Sequence, residues 1–87
     1  MGSTEFKYDR LLFKVATNIK RIRKSRGLSQ RDMETYGFDL RNYQRLEAGN
    51  HSPSLYTVHK LAIAFKVDIE EFFRPVSTAI SLKEGKL

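Results

Sequence analysis

Arg41 and Arg45 stand four residues apart, with Gln44 next to the second, and on a helix that spacing puts two side chains on one face. A guanidinium offers two parallel N–H donors that match O6 and N7 of guanine, and a glutamine amide can pair with adenine. The trio therefore carries the chemistry for reading base edges, although an arginine can equally serve a phosphate. Other chemistry has little material. With no cysteine in the chain, a thiolate zinc site and a disulfide framework are both excluded. The two histidines, His51 and His59, form no H-E-x-x-H pattern, so no catalytic residue, metal ligand or cofactor is expected and an enzyme is disfavoured.

The charge balance points the same way. The chain has 87 residues with 16 Lys and Arg against 10 Asp and Glu, a net charge of +6, which implies a polyanionic partner such as nucleic acid or an anionic membrane surface. Between Lys14 and Arg45 lie nine basic and three acidic residues, so this stretch holds the whole of the net charge. No run approaches the roughly 18 apolar residues of a membrane span, and no signal peptide is visible. The expectation is a soluble, cytoplasmic protein with no membrane partner. A chain this short is expected to make one small module with no separate catalytic or effector-sensing domain. Lacking staples, it must draw its stability from helix packing or from a partner.

The positioning elements follow from periodicity. Leu12, Val15, Ala16, Ile19 and Ile22 have the spacing of an amphipathic helix, stopped by Gly27. Ser29 is a suitable N-cap, with Asp32 as a short stand-in for the capping-box acid, for a brief second helix from Met33 to Tyr36. Gly37 supplies a turn, and Asp39 caps a third helix, Leu40 to Ala48, with Tyr43 and Leu46 inward. Ser54 caps a fourth, with Leu55, Val58, Leu61, Ala62 and Phe65 on one face. Asp68 and Glu71 resemble a capping box for a last short helix carrying Ile69, Phe72 and Phe73, stopped at Arg74-Pro75. Tyr36, Phe38, Tyr43, Phe65, Phe72 and Phe73 are expected as packing residues. Met1, Gly2 and Ser3 read as a cloning remnant. The expected organisation is residues 1–10 as an N-terminal extension, 11–74 as the helical domain and 75–87 as a C-terminal tail.

Two short helices about a glycine turn in a basic module suggest a helix-turn-helix. The ordered run Gly27-Leu28-Ser29-Gln30, Gly37, Tyr43-Gln44-Arg45-Leu46-Glu47-Ala48-Gly49, Asn50-His51-Ser52-Pro53-Ser54-Leu55 and Leu61-Ala62-Ile63-Ala64-Phe65 closely resembles the Xre/Cro-type helix-turn-helix family of phage and bacterial repressors. The resemblance spans about Leu12 to Phe73. It implies an all-α, five-helix bundle of the phage-repressor-like DNA-binding type with a central helix-turn-helix. It also implies roles. Gln30 matches a position that grips a phosphate and braces the recognition helix, and Leu40, Arg41, Gln44 and Arg45 match positions facing the major groove. Leu40 can touch a thymine methyl or simply pack. Asn50, His51 and Ser52 match backbone-phosphate contacts, although His51 also reads as an ordinary loop residue. Arg23 and Glu47 match a structural ion pair between the first helix and the end of the recognition helix. The chain departs from the family pattern in three places: one residue fewer between Gln30 and Gly37 than in many members, Glu34 near a usual alanine, and Lys66 where a helix-ending glycine is frequent.

The function this implies is a sequence-specific double-stranded DNA-binding transcriptional regulator, a homodimer on an inverted-repeat operator, bacterial or phage-encoded and nucleoid-associated when bound. A helical protein-interaction module or an antitoxin-like partner-binding protein on the same scaffold is the alternative; a membrane-surface role for the basic first helix ranks last. The uncharged tail Val76 to Leu82 alternates as a half-buried strand would, and is expected to pair with a second subunit or a protein partner, to stay loose, or to continue as a helix.

Overall fold

The computed structural model describes residues 3–76, with side chains from Tyr8 onward. Among these residues all regular structure is helical: three α-helices, α1 (Ser3–Ser25), α2 (Leu40–Glu47) and α3 (Leu55–Phe65), and two 3-10 helices, η1 (Arg31–Tyr36) and η2 (Ile69–Phe73). The expectation of a five-helix bundle is therefore corrected in kind, because the second and last elements are single 3-10 segments rather than α-helices. The alternating tail from Ser77 to Leu82 lies outside the described residues.

Helix α1 begins well ahead of Leu12, so residues expected as an extension form its first turns. Val15, Ala16, Ile19 and Ile22 are buried along one stripe, as their spacing requires. The helix closes with Gly27 in the left-handed region, where the N–H of Leu28 donates to Arg23 O (3.2 Å) and that of Gly27 to Lys24 O (3.0 Å).

Segment η1 starts from a reciprocal box. The Ser29 N–H donates to Asp32 Oδ2 (2.7 Å) and the Asp32 N–H to Ser29 Oγ (3.0 Å). The bond its carboxylate accepts from the Ser29 backbone, and then the Ser29 hydroxyl, hold the Asp32 carboxyl below the usual carboxylate range. Wound as a 3-10 helix, its six residues at a rise of about 2.0 Å cover about 12 Å, more than the roughly 9 Å that six would cover in an α-helix. Only Met33 of this segment is buried. Gly37 then takes φ 88°, and a Cβ there would lie 3.2 Å from Lys60 Nζ. Asp39 accepts from the Asn42 N–H (3.0 Å) and so opens α2, while Ser54 accepts from the Thr57 N–H (3.1 Å) and opens α3.

Tyr43 and Leu46 of α2, Val58, Leu61, Ala62 and Phe65 of α3, Met33 and Phe72 meet the α1 stripe in one core. Several expected core residues stay outside it. Leu55 is 77% exposed at the first position of α3, and Tyr36, Ile69 and Phe73 are also exposed. A five-residue 3-10 helix offers too short a face to bury three apolar residues, so η2 commits Phe72 alone. The expected Asp68–Glu71 box does not form: the Glu71 N–H bonds the Asp68 carbonyl (2.9 Å), and the Glu71 carboxylate turns to Arg74 Nε (2.9 Å).

Candidate nucleic-acid interface

Helix α2 divides into two faces. Tyr43 and Leu46 point into the core, while Arg41, Gln44 and Arg45 are exposed on the other side and Leu40 is half-buried at the start. Among the described residues no hydrogen bond or ion pair occupies the Arg41 or Arg45 guanidinium. The two arginines are therefore available, one turn apart, on a short helix capped at Asp39 and closed at Gly49. At that end the Asn50 N–H donates to Arg45 O (3.1 Å) and the Gly49 N–H to Leu46 O (3.1 Å).

What fixes this helix is a buried ion pair. Arg23 on α1 donates Nε to Glu47 Oε2 (2.6 Å) and Nη2 to Glu47 Oε1 (3.1 Å), with the two side chains only 8% and 3% exposed. The remaining Arg23 amino group bonds the Leu28 carbonyl (2.6 Å), and the Tyr43 hydroxyl donates to Glu47 Oε2. The charges are thus desolvated, but each guanidinium nitrogen and both carboxylate oxygens are hydrogen-bonded, the condition under which a buried pair is tolerated. Burial works against the Glu47 carboxylate, yet hydrogen bonds from Arg23, Tyr43 and Gln30 outweigh it and hold its carboxyl below the usual range. The Glu47 hydrogen bond keeps Arg23 protonated more firmly than usual, and burial, then the bond to Glu47, drives the Tyr43 phenol far up.

Gln30 joins this network to the exposed face. Its Nε2 donates to Glu47 Oε1 (3.0 Å), and its Oε1 accepts from Gln44 Nε2 (3.1 Å). Asn50, His51 and Ser52 follow α2 as an exposed loop, with Ser52 Oγ hydrogen-bonded to the Tyr8 hydroxyl on α1. The turn is clamped from α3, where Lys60 Nζ lies 4.5 Å above the Phe38 ring and donates to the Gly37 carbonyl (2.8 Å). The fold thus brings Gln30, Gln44, Glu47 and Arg23 into one hydrogen-bonded cluster, puts Arg41 and Arg45 on the open side of α2, and leaves Asn50, His51 and Ser52 at its C-terminal end. Among the described residues no three His, Asp or Glu side chains gather as metal ligands.

A family model described as helix-turn-helix matches residues 19–72, more than half of the chain. The protein belongs to the Xre/Cro-like helix-turn-helix family. It is also similar to a protein of Sinorhizobium fredii described as an uncharacterized HTH-type transcriptional regulator, y4dJ, at 34% identity over 62 residues, covering 70% of this chain and 80% of that relative. No solved structure matches the chain significantly.

Within this helix-turn-helix, the Arg23–Glu47 tie was anticipated, but sequence reasoning missed other residues that tie elements together. Asn18 is buried in α1, and its Nδ2 donates to the carbonyls of Phe72 (3.0 Å) and Arg74 (2.9 Å). A signal existed: Asn18 sits three residues after Val15 and four before Ile22, on the apolar stripe. Arg26, counted among the basic residues, donates Nε to the last carbonyl of α3, at Phe65 (2.8 Å), where a cation complements the helix dipole. Tyr8 and Lys60 carried no signal, since their partners lie more than twenty residues away. Lys66 does what the family's frequent glycine does, adopting φ 60° and ψ 49° to close α3.

Proposed function

We propose that this helix-turn-helix protein is a sequence-specific double-stranded DNA-binding transcriptional regulator that acts as a homodimer on an inverted repeat. One observation carries the reading: α2 is bolted to α1 through Glu47 while it holds Arg41, Gln44 and Arg45 outward and exposed. Rigid presentation of bidentate donors is what direct readout of base edges requires. In this reading Arg41, Gln44 and Arg45 read bases, Leu40 touches a thymine methyl, and Gln30, Asn50, His51 and Ser52 position the backbone. The regulator name of the Sinorhizobium relative supports the assignment. One module reads few base pairs, so a symmetric dimer with recognition helices about 34 Å apart supplies the missing affinity and specificity.

A second reading, a protein-interaction or antitoxin-like module on the same scaffold, is favoured by the exposure of Leu55, Tyr56 and Ile63 on α3, at 77%, 70% and 63%. Selection of bound sequences from a random duplex pool separates the two. A two-fold-symmetric motif is expected; recovery of no motif would leave the interaction module.

A further inference from the structure

We infer that Lys60 of α3 is a positioning residue for base reading: by pinning the turn that opens α2 it fixes the first turn of that helix, and with it the base preference of Arg41, without touching DNA itself. The inference rests on the DNA-binding reading above and places one determinant of its specificity on a helix that carries none of its readers.

The two ends of α2 are held by different partners. Its C-terminal end is tied to α1 through Glu47, two residues after Arg45. Glu47 lies six residues beyond Arg41, about 9 Å along the helix axis, so this tie holds the far end. The near end is entered through Gly37, Phe38 and Asp39. The Gly37 and Phe38 N–H groups bond the carbonyls of Glu34 (3.0 Å) and Met33 (3.3 Å), but these belong to η1, which buries Met33 alone. A segment so lightly anchored is a weak mount.

Lys60 supplies a firm one. Val58, Leu61 and Ala62 are buried on either side of it, so its backbone is fixed to the core. From there Nζ donates to the Gly37 carbonyl at 2.8 Å and stands 4.5 Å from the centre of the Phe38 ring. The ammonium grips backbone and side chain of the turn at once. The Phe38 ring in turn meets the ring of Tyr43, buried in α2, edge-on at 5.7 Å. Such an approach needs the bare Gly37 backbone, because a Cβ there would lie 3.2 Å from Nζ.

Gly37 is exposed, so water can take the place of Lys60 on its carbonyl once the ammonium is removed. The fold then persists with its turn released. Reading a base edge requires the reader to be held within about 0.5 Å of its working position. Arg41, four residues after Gly37, loses that precision; Arg45, beside the Glu47 tie, keeps it.

The test is selection from a random duplex pool by the wild-type chain, Lys60→Met and Phe38→Leu, with Arg41→Ala and Arg45→Ala marking the base positions those arginines read. Lys60→Met is expected to melt within about 8 °C of wild type. At the Arg41 position the wild type is expected to prefer its base at least about fivefold, as a good bidentate pair does. Lys60→Met should reduce this to about twofold while the Arg45 position keeps its preference, and Phe38→Leu, which removes the ring beneath the ammonium, should act at the same position. The slope of log affinity against log salt should be unchanged in Lys60→Met. A slope smaller by about one would make Lys60 a phosphate contact and overturn the inference. Equal relaxation at both positions, relaxation at neither, or no position altered by Arg41→Ala would also overturn it while leaving the DNA-binding reading intact. A wild-type chain that enriches no duplex sequence would overturn both.

Discussion

The Asn18 side chain, buried in the middle of α1, holds the carbonyl of Phe72 at 3.0 Å, joining the first helix to the last element of the chain. The same amide nitrogen reaches the Arg74 carbonyl, and the Asn18 oxygen accepts from Arg21 Nε and Nη2 at 3.3 and 3.1 Å. Each side of this buried group is thus satisfied. Asn18→Ala strands the Phe72 carbonyl inside the protein and should cost about 1–3 kcal/mol. For a domain of this size each kcal/mol lowers Tm by about 4–8 °C, which circular dichroism would register. Arg21→Ala, at an exposed position, should change stability by no more than about 0.5 kcal/mol.

The Arg23–Glu47 pair gives a sharper contrast. Arg23→Met leaves the Glu47 carboxylate buried without its cation and should cost about 3–5 kcal/mol. That is a large share of the stability of a small domain. Adding Glu47→Leu removes the stranded charge, so the double variant should be more stable than the sum of the two single losses predicts. Additive losses in denaturant titrations would show that the two groups act independently.

Acid should weaken the fold through the same carboxylate. Because the folded-state Glu47 carboxyl lies below its unfolded value, the stability it contributes is complete above the ordinary glutamate pKa of about 4.3 and is lost as pH falls through the lower folded value. Asp32, held down by its bonds from Ser29, acts in the same direction. Urea midpoints measured from pH 7 to pH 3 should be flat at first and then decline, and the decline should be shallower in Glu47→Gln.

Lys66 carries a local cost that glycine would relieve. It closes α3 at φ 60°, a region in which a side chain costs about 1–2 kcal/mol. Lys66→Gly should therefore raise stability by about 1 kcal/mol and Tm by several degrees. Lys66→Val, β-branched at the same φ, should lower both.

On the DNA-binding reading, Arg41→Ala or Arg45→Ala should cost about 1–3 kcal/mol on the preferred duplex and relax preference at one position in each half-site. Lys20→Ala on α1 should instead weaken all duplexes alike and reduce the salt slope by about one. Equal losses on preferred and random duplex for the arginine variants would assign them to phosphates.

Much of the architecture was legible because its rules are local. Val15, Ile19 and Ile22 bury where a 3.6-residue period places them, and Asp39 and Ser54 cap where a short acceptor precedes an apolar stripe. A box between Ser29 and Asp32 needs only three residues of chain. The exposed face of α2 followed from the same period, since Tyr43 and Leu46 inward leave Arg41, Gln44 and Arg45 outward.

The sequence by itself determined the helical pattern, the positive charge and the order of motifs that marks the family. Beyond the local caps and the Arg23–Glu47 pair that the family resemblance implied, only the tertiary structure decided which polar groups meet. Leu55 and Phe73 have core composition yet remain outside, because burial depends on what lies opposite a residue as well as on its type. Gln30 could have faced solvent; its place between Glu47 and Gln44 exists only once η1 and α2 pack together. Periodicity acts within one element through backbone geometry, whereas a hydrogen bond between side chains fourteen or seventeen residues apart is fixed by the docking of two elements. Docking is a property of the whole core, and no local window of sequence contains it.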